Sequence, residues 1–167
     1  LLDGLQMALD EVELHESQLF EIEQKIEDRL KEVPYSKFML SIKGIGVLSA
    51  GVIIGEVGDL RKYNSKHEVL KLAGLNLYEI SSGEHKGEKH ITKRGRSLLR
   101  KILFYAALNM SKKGGIFYDT YRSHLKKGMK KIKAITAISR KLLGIIYALV
   151  RDSKNYNQGE KALPKAA

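Results

Sequence analysis

Cysteine is absent from the 167 residues, which rules out both a disulfide framework and a thiolate metal site. That suits a reducing compartment, and a cytoplasmic, nucleoid-associated location is the expectation. No apolar run reaches the roughly 18 residues that a membrane span needs, so no membrane partner is expected. The first residues lack a signal-peptide pattern and do not include an initiating Met, so the chain reads as an internal fragment of something longer. Acidic residues are scarce too: 19 against 30 Lys and Arg, a formal charge of +11. The shortage is uneven. Residues 1–35 hold ten acids and three bases, a net of −7, which leaves +18 for the remainder. Such a density of like charge is tolerated when the partner is a polyanion, and nucleic acid is the first candidate. An anionic membrane surface and a merely soluble basic domain are the competing readings.

Apolar residues over 1–33 recur at alternating spacings of three and four, through Leu2, Leu5, Leu9, Val12, Leu19, Ile26, Leu30 and Val33. Glu16 and Glu23 interrupt the seam. The pattern predicts a coiled-coil arm over residues 1–36, with a homodimer or higher oligomer as its use; an amphipathic helix lying on its own domain is the alternative. Pro34 closes the segment. Residues 37–152 predict a compact helical domain, and 153–167 a polar, frayed tail. Short apolar helices are expected at 38–42, 47–54 and 65–73, the last ended by Gly74. A loop or loose hairpin is expected at 76–92. Longer helices are expected at 95–110 and 132–150, with a shorter one around Phe117 and Tyr121. The fold class is all-α.

Two features carry chemistry. The first is Lys43-Gly44-Ile45-Gly46 between two apolar helices, the shape of a helix-hairpin-helix. Glycines permit positive φ and close approach of a phosphate, while open amides and the dipole of the second helix favour an anion. Ile45 would plug the turn into the core, and Lys43 would add a phosphate contact; an ordinary glycine turn is the bland alternative. Residues 68–75 read as a weaker second copy. The second feature is Ser81-Ser82-Gly83 in a stretch with His85, Lys86, Lys89, His90, Lys93, Arg94, Arg96 and Arg100. Thr92 is placed to cap the next helix, and Arg96 and Arg100 to share one of its faces. A serine hydroxyl needs a base or positioned cations before it attacks a phosphodiester. On the residues alone, a phosphate-binding turn is the plainer reading.

Order and combination go further. Ile42-Lys43-Gly44-Ile45-Gly46 is followed by Glu56-Val57-Gly58-Asp59, Leu72-Ala73-Gly74-Leu75 and Ser82-Gly83. Then come Ile91-Thr92-Lys93-Arg94-Gly95, Leu98-Leu99-Arg100, Ala106-Ala107-Leu108 and Arg140-Lys141-Leu142. This resembles the C-terminal domain of DEDD-type insertion-sequence transposases and Piv-type DNA invertases, a group that includes bridge-RNA-guided recombinases. The resemblance covers roughly residues 38–151. It implies DNA as partner, a guide RNA as a further one, and Ser82 as the nucleophile for strand cleavage and exchange, with Ser81 in reserve. It implies as well an upstream RuvC-like domain whose carboxylates hold a divalent metal such as Mg2+. No cofactor is expected in this chain, and the fragment alone is expected to bind DNA without cutting it. The sequence departs from the family pattern at Lys43 and Leu77, where proline is common.

The DNA-binding candidates are Lys43, Gly44, Gly46, Lys86, Lys89, Lys93, Arg94, Arg96, Arg100, Arg140 and Lys141. Glu56, Asp59 and Glu79 do not suggest a metal-ligand set, and capping suits Asp59 better; His85 and His90 lack a third partner. Tyr118 and Tyr121 flank the basic turn at 126–131, where they either stack on bases or guide RNA or pack helices together. The alternative function is a non-enzymatic helix-hairpin-helix module of a repair or recombination protein. A structured-RNA binder is a third reading, in which the Ser-Gly motif has no role.

Overall fold

The computed structural model describes residues 2–79 and 89–157. Seven α-helices lie among them: α1 (Leu2–Lys31), α2 (Ser36–Leu40), α3 (Val47–Val57), α4 (Lys66–Leu72), α5 (Ser97–Met110), α6 (Tyr118–Lys126) and α7 (Lys131–Asp152). The fold is all-α apart from a two-stranded antiparallel hairpin, β1 (Leu77–Glu79) with β2 (Lys89–Ile91), in which Leu77 faces Ile91. A 3-10 turn, Leu60–Lys62, separates α3 from α4 and was not expected. Asp59 caps it by accepting from the Arg61 amide.

Helix α7 organises the core because its apolar positions fall on one face. Ile135, Ile138, Leu142, Ile146 and Leu149 are all buried, at helical spacing. Elements α5, α4, α6, α2 and the 3-10 turn all pack on it. Helix α5 contributes Leu99, Leu103, Ala106 and Ala107, and α3 contributes Ala50 and Ile53. Three tyrosine hydroxyls close the region around the end of α3. Tyr35 donates to the Gly58 carbonyl, Tyr63 to that of Val57, and Tyr147 to that of Tyr63. Buried Ser36 donates to the Leu30 carbonyl, and buried Ser111 and Ser139 donate to carbonyls four residues back. Every buried hydroxyl among the described residues is thereby satisfied.

The arm divides in two. Its last turns join the domain: Leu30 is buried, and Ile26 reaches α3 so closely that a Cβ on Gly51 would meet its Cγ2 at 2.6 Å. Further out, Leu2, Leu5, Leu9, Val12 and Leu19 are 49–80% exposed, so this stripe is not spent on its own domain. The expectation of a frayed tail needs correction in its first residues. Tyr156 packs on the core, and its amide donates to Ser41 Oγ at 2.7 Å. Nor is the segment at 68–75 a second helix-hairpin-helix unit, because strand β1 follows it. Gly74 (φ +66) ends α4 in a Schellman turn: its amide bonds the Lys71 carbonyl and the Leu75 amide bonds that of Leu70.

Candidate nucleic-acid interface

The sites singled out in the sequence assemble around α3 and α5. Gly44 (φ +107) abuts Met110 at the C-terminal end of α5, while Glu56 near the end of α3 pairs with Arg96, the N-cap residue of α5, at 3.9 Å. The two helices therefore run antiparallel, and the cations fall at opposite ends of the pair. Ten residues of helix separate Gly46 from Glu56, about 15 Å at 1.5 Å per residue.

At the first end, Ile42 and Ile45 are buried and Lys43 is exposed, so the turn is plugged into the core by Ile45. Gly46 precedes α3 in extended conformation, no side chain caps the helix, and a Cβ at Gly46 would meet nothing within 4 Å. Open space and uncapped amides let an anion approach this backbone. Lys141 reaches the same side: its Nζ lies 5.5 Å from the centre of the Phe117 ring, and Phe117 is bonded through its amide to the Met110 carbonyl.

At the other end, two turns lock backbone to backbone. The Thr92 amide donates to the Asn76 carbonyl, Lys93 to Gly74 and Arg96 to Leu72, at 2.8–2.9 Å. The Thr-Lys-Arg-Gly segment is thus docked on the Ala-Gly-Leu turn, although the two lie some twenty residues apart in sequence. Thr92 does not cap α5; its amide serves this junction, and Arg96 occupies the N-cap. Lys93 adopts φ +54, unusual for a residue with a side chain, and Lys93, Arg94 and Arg96 are all exposed.

Arg100 and Arg140 brace the same turn from inside. Arg100 Nη1 donates to the Ala73 carbonyl (3.0 Å) and Arg140 Nε to that of Leu75 (2.9 Å). Both are half-buried, so Arg96 and Arg100 do not share a solvent face. Burial lowers the pKa of Arg140 from its ordinary value, yet a guanidinium remains charged at neutral pH. Arg140 and Lys141, neighbours in sequence, leave α7 on different sides. Lys89 sits on β2, 3.7 Å from Glu79. Ser82, Ser81, Lys86 and His85 lie outside the described residues.

Residues 36–122, just over half of the chain, match the model of the Transposase IS116/IS110/IS902 family. The chain belongs to this family. It is similar to an uncharacterised 43.6 kDa protein of insertion element IS110 from Streptomyces coelicolor, at 27% identity over 81% of the chain and 33% of the relative. It is also similar to a transposase for insertion sequence element IS1111A from Coxiella burnetii, at 29% identity over 71% of the chain and 34% of the relative. The chain spans about a third of the length of these relatives.

One feature of this transposase-family domain was not apparent from the sequence. Ile132 is 72% exposed among Lys130, Lys131 and Lys133. Its phase, three residues before buried Ile135, places it on the core face of α7. The helix, however, begins beyond the edge of the core, so its first turn overhangs the hairpin. An apolar residue inside a lysine run was the available signal. Glu56, Asp59 and Glu79 each face their own basic partner, Arg96, Arg61 and Lys89. Among the described residues, no three acids or histidines stand together as metal ligands, and no helix is long and apolar enough to cross a membrane.

Proposed function

We propose that this chain is the DNA-binding and strand-exchange domain of an insertion-sequence transposase of the DEDD/Piv type, with Ser82 as its nucleophile. One observation carries the reading: the docked junction of the 92–96 segment on the Gly74 turn. It displays Lys93, Arg94 and Arg96 from a backbone held by three hydrogen bonds, next to strand β2. Ser82 lies three residues past Glu79, the end of β1, and seven before Lys89, the start of β2. The register pairs Glu79 with Lys89, so the two strand ends that flank this segment lie side by side.

The step is a transesterification. Ser82 Oγ forms a bond to phosphorus as the P–O bond to one deoxyribose breaks; the serine proton ends on the departing sugar oxygen, and the energy of one phosphodiester is kept in a phosphoserine ester. The hydroxyl of an exchanged strand reverses the reaction. Nearby cations stabilise the charge on the five-coordinate phosphorus. Lys43, Gly44, Gly46 and Lys141 grip a second stretch of backbone at the other end of the α3–α5 pair, while Lys86, Lys89, Lys93, Arg94 and Arg96 serve the first, with Arg100 and Arg140 supporting it. Glu56, Asp59 and Glu79 are committed to separate ion pairs and do not form a ligand set for a divalent metal. The Mg2+ chemistry belongs to a RuvC-like domain outside this chain, and the exposed seam of α1 joins two copies. A guide RNA is a further partner.

In the complete transposase, Ser82→Ala should abolish strand exchange and leave DNA affinity within about twofold. Recombination at the wild-type rate would remove Ser82 from the mechanism. The uncapped Gly44–Gly46 turn favours one alternative, a non-catalytic helix-hairpin-helix module, and that result would support it.

A further inference from the structure

Between the β1–β2 hairpin and the first turns of α7 lies an open groove of about 940 Å³. Its floor is apolar, built from Leu77, Ile91, Ile132 and Ala137. Its rim carries Lys89, Lys93, Lys130, Lys131 and Arg140, and among the described residues that line it none is acidic. A second lobe of about 450 Å³ shares Ile91, Ile132 and Thr136, and continues past Lys101 to Phe104 and Tyr105. Those two rings meet edge to face at 6.2 Å, and Tyr105 is 51% exposed.

Exposed isoleucine and tyrosine inside a ring of lysines match a paired duplex poorly, because its stacked bases hide their flat faces. They suit a ligand with a polyanionic backbone and bare flat faces. Stacking on aromatic and apolar side chains is sequence-tolerant because every base has such a face, and a lysine-lined groove tracks the backbone. The larger lobe alone is within the range of about 300–1,000 Å³ typical of pockets for single small ligands, which suits a few nucleotides. The geometry points to this groove as a binding site for unpaired DNA: phosphates lie along Lys130, Lys131 and Lys93, and bases lie on Ile132 and Tyr105. The inference rests on the chain being a DNA-binding domain, and adds that it holds a melted strand apart from the duplex.

The test compares fluorescent single-stranded and duplex oligonucleotides of one sequence, on the wild-type chain and on Ile132→Ser and Tyr105→Ala. Both side chains are largely exposed, so the fold survives their removal. Each substitution should weaken single-strand binding roughly tenfold and leave duplex affinity within about twofold. Lys130→Ala with Lys131→Ala should reduce the slope of log affinity against log salt for the single strand by about 1.4. Equal losses for both DNA forms, or no loss for either, would overturn the groove while leaving DNA binding standing. A wild-type chain that binds neither form would sink the functional reading itself. Preference for the same sequence as RNA would reassign the groove to RNA, and displacement of the single strand by phosphatidylserine vesicles would reassign it to a membrane; either overturns the proposal.

Discussion

Gly95 leaves no room for a side chain against Leu72: a Cβ built on it would run into the Leu72 carbonyl oxygen, at φ +155, where side chains are rarely tolerated. Gly74 faces the same junction, and a Cβ there would meet the Lys93 carbonyl carbon at 2.9 Å. Gly95→Ala should therefore cost on the order of 3 kcal/mol, by separating the docked turns or forcing a strained backbone. Urea denaturation would measure this, and a loss below about 1 kcal/mol would mean that the junction yields readily.

Lys93 separates charge from strain. Lys93→Gly and Lys93→Ala remove the same cation, so each should lower the salt slope of duplex binding by about 0.9. Only the glycine variant relieves the left-handed backbone, gaining about 1–2 kcal/mol against about 0.5–1 lost to a freer unfolded chain. Thermal melting should place the glycine variant at or above wild type, and the alanine variant below the glycine one.

Arg100 and Arg140 hold neighbouring carbonyls of one turn, so their effects should not add. Each Arg→Met change leaves a carbonyl short of its donor and should cost about 1–3 kcal/mol. The double variant should cost less than the sum, because the second loss finds the turn already loosened. Strict additivity in chemical denaturation would show that the two arginines brace independent regions.

Asp59 supplies a pH dependence of known sign. The side-chain hydrogen bond from Arg61 holds its pKa below the ordinary 3.8, so the folded state favours the charged carboxylate. That stability is present above the unfolded value and disappears as pH falls from there through the folded one. Arg61 is exposed and Asp59 is open to solvent on one side, so the effect should stay under about 1 kcal/mol. Asp59→Asn retains a capping oxygen, and should flatten this part of the acid limb in a series of melting curves.

The two halves of α1 should respond differently. Leu30→Ala should cost about 2–5 kcal/mol because it empties a buried site. Leu5→Ser with Leu9→Ser should leave the melting midpoint of dilute protein unchanged. The double change should also abolish the concentration dependence expected of a dimer, read by light scattering and by melting at several concentrations.

Much of the fold was legible because it follows helical period. The stripe from Ile135 to Leu149 announces α7, and Gly74 after Leu72 announces the end of α4. Periodicity also revealed the seam of α1, but an apolar stripe does not encode which chain covers it. The docking of Gly95 on Leu72 was hidden for another reason: spacing along a sequence does not say which glycines will meet. The unusual sign was a glycine one residue before the N-cap of α5. Arg100 was misread for a related reason. Its position belongs to the polar side of α5, but its side chain is long enough to turn inward and reach a carbonyl. The site proposed in the basic loop rests on family resemblance alone, since a serine beside a glycine has no period.

Ile26 pressed into Gly51 gives the arm a mechanical meaning. A single unbroken helix of thirty residues, about 45 Å long, enters the domain with its last turns wedged against α3. The arm therefore bears on α3 at Gly51, five residues past the Gly46 turn, and its exposed outer turns project from that contact.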